Sequence, residues 1–201
     1  LYRPFLRVLS EHPTGERPDA PLWKLVGSAL KMTGLLGFWA GDNLSFLAES
    51  GFFDDLSRSR EFRLQQRSKF ISRASTFANR SYFIGAIAGF VTNWRSYWEH
   101  RNGTLKALIE QTTEGAIEGN DGDEHQMIQQ SDALKKAKEK QFALTAALLK
   151  SCCDVLVFSN NPGIDLWMKY RGKKMHEGFH CLCGLLSAST VIYNSFPNST
   201  N

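Results

Sequence analysis

The stretch FISRASTFANRSYFIGAIAGFV, residues 70–91, predicts a long helix. Apolar and small residues recur in it at intervals of three and four, which is the spacing of one face of an α-helix. This face consists of Phe70, Ala74, Phe77, Ser81, Ile84, Ala88 and Val91. The simplest account of the pattern is a single helix over residues 58–110, with Ser57 as its N-cap.

Helical spacing also occurs on both sides of that helix. Residues 22–47 carry one stripe, and residues 134–158 carry a second whose steps alternate between three and four, as in a helix that packs on another helix. The first stripe is Leu22, Val26, Ala29, Thr33, Leu36, Ala40, Asn43 and Leu47, and the second is Leu134, Ala137, Gln141, Leu144, Leu148, Ser151, Val155 and Phe158. Gly51 is predicted to end the first of these helices, and SNNPG at 159–163 to end the last. No stretch alternates with period two for long enough to predict a sheet, so the predicted fold class is all-α.

Basic residues are concentrated in one segment, residues 58–80. It contains seven Lys and Arg residues against the single acid Glu61, whereas the whole chain has a net charge of only +4. Phenylalanines alternate with these charges, which is typical of a helix that lies on an acidic lipid surface. The predicted lipid-contact residues are Phe62, Arg63, Arg67, Lys69, Phe70, Arg73, Phe77 and Arg80. A solvated helix face is the competing interpretation, and no recognition motif supports nucleic acid as a partner.

Two uncharged stretches are candidates for insertion into a membrane. Ser81–Trp94 has only fourteen residues, whereas an upright span needs about 20 apolar residues. Gly178–Phe196 has nineteen residues, and we predict it as the best candidate span. The mean hydropathy of −0.30 argues against many spans. We therefore expect a membrane-associated helical bundle with long amphipathic helices and one or two short hydrophobic hairpin or span segments.

Paired glycines indicate where these helices pack. Gly37 and Gly41 form one G-x-x-x-G motif, and Gly85 and Gly89 form another. Small residues at this spacing let helix backbones approach closely, which favours association in lipid and equally fits a soluble helical bundle. Together with Gly184 in the last apolar stretch, these glycines are the predicted helix-packing residues.

Residues 111–130 are predicted to form an acidic flexible loop within a single domain of residues 1–201. The centre of this segment, EGAIEGNDGDE at 114–124, combines three glycines and five acids without an apolar face. The chain begins at Leu1 instead of a methionine, so we expect that the natural N-terminus is missing. Four cysteines without a spaced disulfide framework favour a reducing compartment.

The pentapeptide HEGFH, residues 176–180, matches the H-E-x-x-H signature of zinc hydrolases. A catalytic zinc needs a third ligand downstream, and after His180 the chain contains no Asp, Glu or His. Cys181 or Cys183 could complete a structural site instead. We interpret the match as chance, and we predict no catalytic residue, no metal, no cofactor and no enzymatic activity.

Three blocks of the sequence, taken in order, resemble the peroxin-11 family of peroxisomal membrane proteins. The first is FWAGDNLSFLAESGFF at 38–53, with Asp42, Asn43, Leu44, Phe46, Leu47 and Gly51 at the matching positions. The second, NRSYFIGAIAGFVTNWRSYWE at 79–99, is similar to the first hydrophobic segment of the family. The third joins KSCCDVLVFSNNPG at 150–163 to GFHCLCGLLSAS at 178–189, and it resembles the C-terminal signature through Cys153, Asp154, Gly178, Cys183, Gly184, Ser187 and Ser189.

The resemblance implies a protein of the peroxisomal membrane that self-associates and promotes elongation, proliferation and fission of the organelle through insertion of an amphipathic helix. The implied partners are an anionic phospholipid membrane, further copies of the chain and a dynamin-type fission machinery. In the family the remodelling helix lies near the N-terminus, and here only LYRPFLRVLS, residues 1–10, corresponds to that region. A small-metabolite pore is the alternative function, and a soluble helical interaction module is the third. The positive-inside rule places residues 163–174 in the cytosol, whereas the family is generally described with both chain ends there.

Overall fold

The structure is a computed structural model that describes residues 21–117 and 124–195, with side chains over 21–113 and 128–193. Its helices are α1 (Leu22–Glu49), α2 (Arg60–Glu99), α3 (Lys106–Ile117), α4 (Glu124–Ser159), α5 (Leu166–Arg171) and α6 (Glu177–Ser195). A π-helical segment, His100–Leu105, joins α2 to α3. The described residues contain no strand, so the all-α prediction is confirmed.

The long helices pack side by side rather than around one central core. α1 and α2 form an antiparallel hairpin, α4 packs on α2, and α6 packs on α4. Near the end of α4, Phe158 stacks on Tyr82 with ring centroids 4.0 Å apart. In its first half, the carbonyl oxygen of Ala137 lies 3.0 Å from Nε2 of His100. α4 therefore runs antiparallel to the second half of α2.

The turn between α1 and α2 is built around Gly51. This glycine has φ = 82°, a left-handed conformation that other residues adopt only with strain. The amides of Gly51 and Phe52 donate hydrogen bonds back to the last turn of α1, which is the arrangement of a Schellman cap. Arg67 closes the turn from α2, because it forms an ion pair with Asp54 and donates to the carbonyl oxygen of Glu49 at 3.0 Å. α1 thus ends where its glycine predicts.

The N-cap of α2 is Ser59, so the prediction of Ser57 was wrong. Ser59 Oγ accepts a hydrogen bond from the amide of Phe62 at 3.4 Å. Ser57 is held in the preceding turn instead, since its hydroxyl and its amide both donate to Oδ1 of Asp55, at 2.6 and 3.0 Å. These bonds from Ser57 lower the pKa of Asp55 below its ordinary value, because they stabilise the carboxylate.

Two helix boundaries also differ from the sequence-based prediction. The helical backbone that begins at Arg60 continues through the π-helical segment and α3 to Ile117, and α4 is already helical at Glu124. Both ends of the predicted loop over 111–130 are therefore helical. Once a helix exists, each further residue adds a backbone hydrogen bond without a new nucleation step. Residues 118–123, at the centre of that loop, lie outside the described residues.

Candidate functional site

The large apolar side chains of this protein lie mainly on the outside of the helices. Among the described residues, no large side chain is fully buried, and the buried apolar residues are mostly alanine and cysteine. Leucine, isoleucine, phenylalanine and tryptophan side chains are exposed along α1, α2, α4 and α6. Burial of such side chains is the main driving force of folding in water, so large contiguous exposed apolar surfaces mark sites of contact with lipid or with another protein. Small residues inside and large apolar residues outside are the arrangement expected of helices packed in lipid.

The contact between α1 and α2 consists of small residues. A Cβ atom placed on Gly34 would lie 2.7 Å from the Cα of Gly85. A Cβ atom on Gly41 would lie 2.8 Å from the Cβ of Ala78. The helix backbones therefore touch at these positions, where α1 has no room for a side chain larger than hydrogen.

Gly34 is a contact residue that the sequence analysis did not identify. The overlooked signal is a small residue at every seventh position of α1, namely Gly27, Gly34, Gly41 and Ala48. Seven residues correspond to nearly two turns, so these positions share one face of the helix. Three of them, Gly34, Gly41 and Ala48, are buried.

The other predicted packing glycines have different surroundings. A Cβ on Gly37 would lie 2.6 Å from Oγ of Ser81, so this glycine also faces α2. On α2, Gly89 faces the aliphatic part of Lys31, at an ordinary contact distance of 3.7 Å. Gly184 on α6 has no other atom within 4 Å of its Cβ position, so no contact within the described chain requires a glycine there.

The outward face of α2 changes character halfway along the helix, which is about 60 Å long. In its first half this face carries aromatic and basic residues, namely Phe62, Lys69, Phe70, Arg73, Phe77 and Arg80. From Ile84 to Trp94 every exposed residue is apolar, namely Ile84, Ile87, Val91 and Trp94. This order matches a membrane boundary, where cations meet lipid phosphates and aliphatic side chains meet hydrocarbon.

Two of the predicted lipid-contact arginines have partners within the protein. Arg67 is committed to the α1–α2 turn through Asp54. Nε of Arg80 donates to the carbonyl oxygen of Gly163 at 3.0 Å and so attaches the segment after α4 to the middle of α2. These two side chains therefore hold the fold together, whether or not they also meet lipid.

The remaining cations of this set differ in their exposure. Arg63 is half-buried, and its Nε is enclosed without a hydrogen-bond partner beside the turn that contains Asp55. Lys69 and Arg73 are exposed, and neither has a carboxylate within 4.0 Å among the described side chains. Lys69 and Arg73 are consequently the cations best placed to meet anionic headgroups.

α4 is long and apolar enough to cross a membrane. Within Ile128–Ser159, an 18-residue window has a mean hydropathy of 1.7, and only 17% of that window is buried. It is the one helix in the described residues that meets these criteria. The candidate span predicted from the sequence, Gly178–Phe196, forms α6 as far as Ser195 instead. Lys150 and Asp154 interrupt the apolar run of α4 and obscure this property in the sequence.

The two charges in the apolar part of α4 neutralise each other. Nζ of Lys150 lies 2.6 Å from Oδ2 of Asp154, one helical turn away. Oδ1 of Asp154 accepts a hydrogen bond from the hydroxyl of Ser187 on α6 at 2.5 Å. Ionisable residues at membrane depth are tolerated when they are paired in this way. The pair also fixes α6 against α4.

Comparison with known protein families identifies the chain. The family model of peroxisomal biogenesis factor 11 (PEX11) matches residues 16–195. The chain belongs to the PEX11 family. The family predicted from the three sequence blocks is thereby confirmed, and with it a role in peroxisome biogenesis. Searches of the curated proteins and of the solved structures gave no significant match.

The three blocks that resemble other PEX11 proteins meet in one aromatic cluster. Phe38 of the first block lies edge-on to Tyr82 of the second, with ring centroids 5.3 Å apart. Phe158 of the third block stacks on Tyr82 and lies 6.2 Å from Phe38. The cluster holds α1, α2 and α4 together, so residues far apart in the sequence form one structural unit.

The H-E-x-x-H sequence of this PEX11 protein marks the start of a helix. His176 precedes α6, and its Nδ1 accepts a hydrogen bond from the amide of Gly178 at 3.2 Å. Nδ1 of His180 lies 3.4 Å from Nδ2 of the Asn160 side chain. Within the described residues, no three His, Cys, Asp or Glu side chains are grouped so that they could hold a metal ion. The absence of metal and of catalysis stays a prediction.

Proposed function

We propose that this protein is embedded in the peroxisomal membrane and promotes elongation, proliferation and fission of the organelle. Membership of the PEX11 family supports the organelle and the general role. The observation that carries the finer proposal is the outward face of α2, which combines cations and phenylalanines with uncharged polar residues up to Arg80 and is wholly apolar from Ile84 to Trp94.

The proposed mechanism is insertion of the basic and aromatic half of α2 into one leaflet. Phe62, Phe70 and Phe77 enter the boundary between headgroups and acyl chains, while Lys69 and Arg73 bind lipid phosphates. Insertion at this depth expands one leaflet relative to the other, and a tubule relieves the difference in area. The apolar half of α2, together with α4 and α6, anchors the wedge.

Self-association is the second part of the proposed mechanism, since several copies concentrate the wedges. The α1–α2 glycines are already used within one chain, so they do not supply this contact. On α6, Gly184 has no neighbour within the described chain, and the exposed Ala188 follows it at a spacing of four. Small residues at this spacing support close approach of a second helix in lipid. A dynamin-type fission machinery is the proposed partner downstream.

Reconstitution of the full chain into anionic liposomes, followed by electron microscopy, tests the proposal. We expect the wild-type protein to form tubules and the variant Lys69→Glu/Arg73→Glu to leave the vesicles round. The control is Lys135→Glu/Lys138→Glu, which makes the same change of charge at exposed positions of α4. The proposal would be contradicted if both variants lost tubule formation equally, or if the wild-type protein left the vesicles round. Release of an encapsulated dye without a change of shape would favour the metabolite pore.

A further inference from the structure

The segment between α4 and α6 lies at one end of an apolar helical hairpin. α4 and α6 are antiparallel: Phe142 and Tyr193 meet at one end, with ring centroids 5.8 Å apart. At the other end Asn160 lies against His180. The connecting residues, 161–176, therefore lie at the end of the pair where α4 ends and α6 begins. If the hairpin is in a membrane, this segment is at the membrane surface.

The connecting segment is strongly basic. Four exposed cations occur within six residues, namely Lys169, Arg171, Lys173 and Lys174. None of them has a carboxylate within 4.0 Å among the described side chains. Two acids flank the segment: Asp165, whose Oδ2 accepts a hydrogen bond from the amide of Gly163 at 2.9 Å, and Glu177, which is exposed in the first turn of α6. The four charges are thus available to an anionic partner.

Aromatic residues accompany these charges. Arg171, Lys173, Lys174 and His176 line an open cavity of about 600 Å³ whose other walls include Trp167 and Phe179. The guanidinium of Arg171 lies 5.2 Å from the centre of the Trp167 ring. Tyr170 is 86% exposed beside them. Aromatic rings next to cations are typical of the layer where headgroups meet acyl chains.

The segment is held in place by the helices on either side. Nε1 of Trp167 donates to Oγ of Ser159 at 3.1 Å, and the amide of Met175 donates to Oδ1 of Asn160 at 3.0 Å. Ile164 and Met175 are among the few larger apolar residues that are buried. The cavity is consequently preformed, which reduces the entropy lost on binding.

The basic half of α2 lies at the same end of the molecule. Nδ2 of Asn79 donates to the carbonyl oxygen of Pro162 at 3.1 Å, and Arg80 donates to that of Gly163. From this junction residues 60–78 continue beyond the ends of α4 and α6, so insertion of this half into the same membrane requires α2 to bend near Arg80. The basic half of α2 and the connecting segment therefore lie at the same end of the hairpin, although they are distant in sequence. With the hairpin in a membrane, both would be on the same side of that membrane.

We infer that residues 166–176 form a headgroup-binding loop whose ligand is the phosphate of anionic phospholipids in the membrane that holds the hairpin. Arg171, Lys173 and Lys174 bind the phosphates, and Trp167, Tyr170 and Phe179 enter the interfacial layer. This inference rests on the proposed membrane insertion. It adds a second lipid site, distinct in sequence and structure from the one on α2.

Hydrogen exchange measured by mass spectrometry on the full chain in nanodiscs tests the inference. We expect amide exchange over 166–176 to be at least about fivefold slower in nanodiscs that contain phosphatidylserine than in pure phosphatidylcholine, since a single cation near an anionic surface already contributes a factor of this size. The variant Arg171→Gln/Lys173→Gln/Lys174→Gln should lose this difference. The control Lys135→Gln/Lys136→Gln/Lys138→Gln removes the same charge and should keep it.

Three results would overturn the inference. Exchange over 166–176 could be equal in both lipids, or the control variant could lose the difference between lipids as fully as the loop variant does. Soluble inositol hexakisphosphate in neutral nanodiscs could also slow exchange as much as phosphatidylserine does. The last would assign the loop to a free phosphate ligand. Residues 60–80, followed in the same experiment, report separately on the α2 surface. A chain that does not stay in nanodiscs at all would contradict the proposed function instead.

Discussion

At Gly34 the backbones of α1 and α2 are in contact, so this residue has no space for a methyl group. We expect Gly34→Ala to destabilise the protein by about 1 to 3 kcal/mol, because the added carbon would force two helix backbones apart. Circular dichroism during thermal unfolding in a mild detergent measures the change. Gly89→Ala is the matched control, since a Cβ atom at this helical position would lie at an ordinary contact distance of 3.7 Å from Lys31. An unchanged melting temperature in the Gly34 variant would show that the helices are not in contact there.

At Asp154 a single carboxylate holds both Lys150 and Ser187. We expect Asp154→Asn to lower the free energy of unfolding by about 2 to 3 kcal/mol, because it leaves the Lys150 ammonium without a counter-charge in a poorly solvated place. The side chains of Lys150 and Asp154 are 31% and 15% exposed. Chemical denaturation in detergent is the measurement.

The control for Asp154 is the pair of Arg95 and Glu99, which has the same i, i+4 spacing on α2. Its side chains are 55% and 49% exposed, so water already solvates both charges. Glu99→Gln should therefore change the stability by less than about 0.5 kcal/mol. Similar effects of the two substitutions would contradict the role assigned to Asp154.

At the scale of the element, the outward face of α2 is polar in its first half and apolar from Ile84 to Trp94, on one continuous helix. A lysine in the apolar half should weaken membrane association, since a charge at the centre of a membrane helix costs about 2.5 to 3.5 kcal/mol. We expect Ile87→Lys to increase the fraction of the full chain released from membranes by alkaline carbonate.

Gln65→Lys adds the same charge at an exposed position in the basic half of α2. It should leave the carbonate-resistant fraction unchanged, because that half already meets headgroups in the proposed arrangement. Complete release of the wild-type chain would instead favour the soluble interaction module. Equal release of both variants would mean that the two halves of α2 have the same surroundings.

At the scale of the whole molecule, the side-by-side packing places two groups of lysines on opposite sides of the apolar part of α4. Lys69, Lys173 and Lys174 lie toward the end where Arg80 meets Gly163, whereas Lys135 and Lys138 lie near His100. If α4 crosses the membrane, the two groups face different compartments. On intact peroxisomes, a membrane-impermeant acylating reagent should modify the first group and reach the second only after permeabilisation.

Mass spectrometry of the labelled lysines decides this topology without any substitution. The positive-inside rule favours the cytosol for the group with more uncompensated cations. Labelling of Lys69 and Lys173 from different compartments would be incompatible with the hairpin, and labelling of all these lysines from one side would exclude a span at α4.

The sequence by itself determined the helices, their main breaks and the family. These properties depend on residues close together in the chain: apolar spacing of three and four, the left-handed turn at Gly51, and the break at SNNPG. Apolar spacing did not locate the N-cap of α2 correctly. Short-range hydrogen bonds place it at Ser59 instead of Ser57. The residue spacing within a block is likewise readable without knowing what the block contacts.

Only the tertiary structure decided which face of each helix is inside. The stripe from Leu22 to Leu47 is largely exposed, and the inner face of α1 is the row of small residues through Gly34. Arg67 and Lys69 are two positions apart, yet one is bound to Asp54 and the other is exposed. Periodicity cannot make these assignments, because an apolar stripe has the same spacing whether it faces a protein core or lipid, and a cation shows its partner only when distant segments meet.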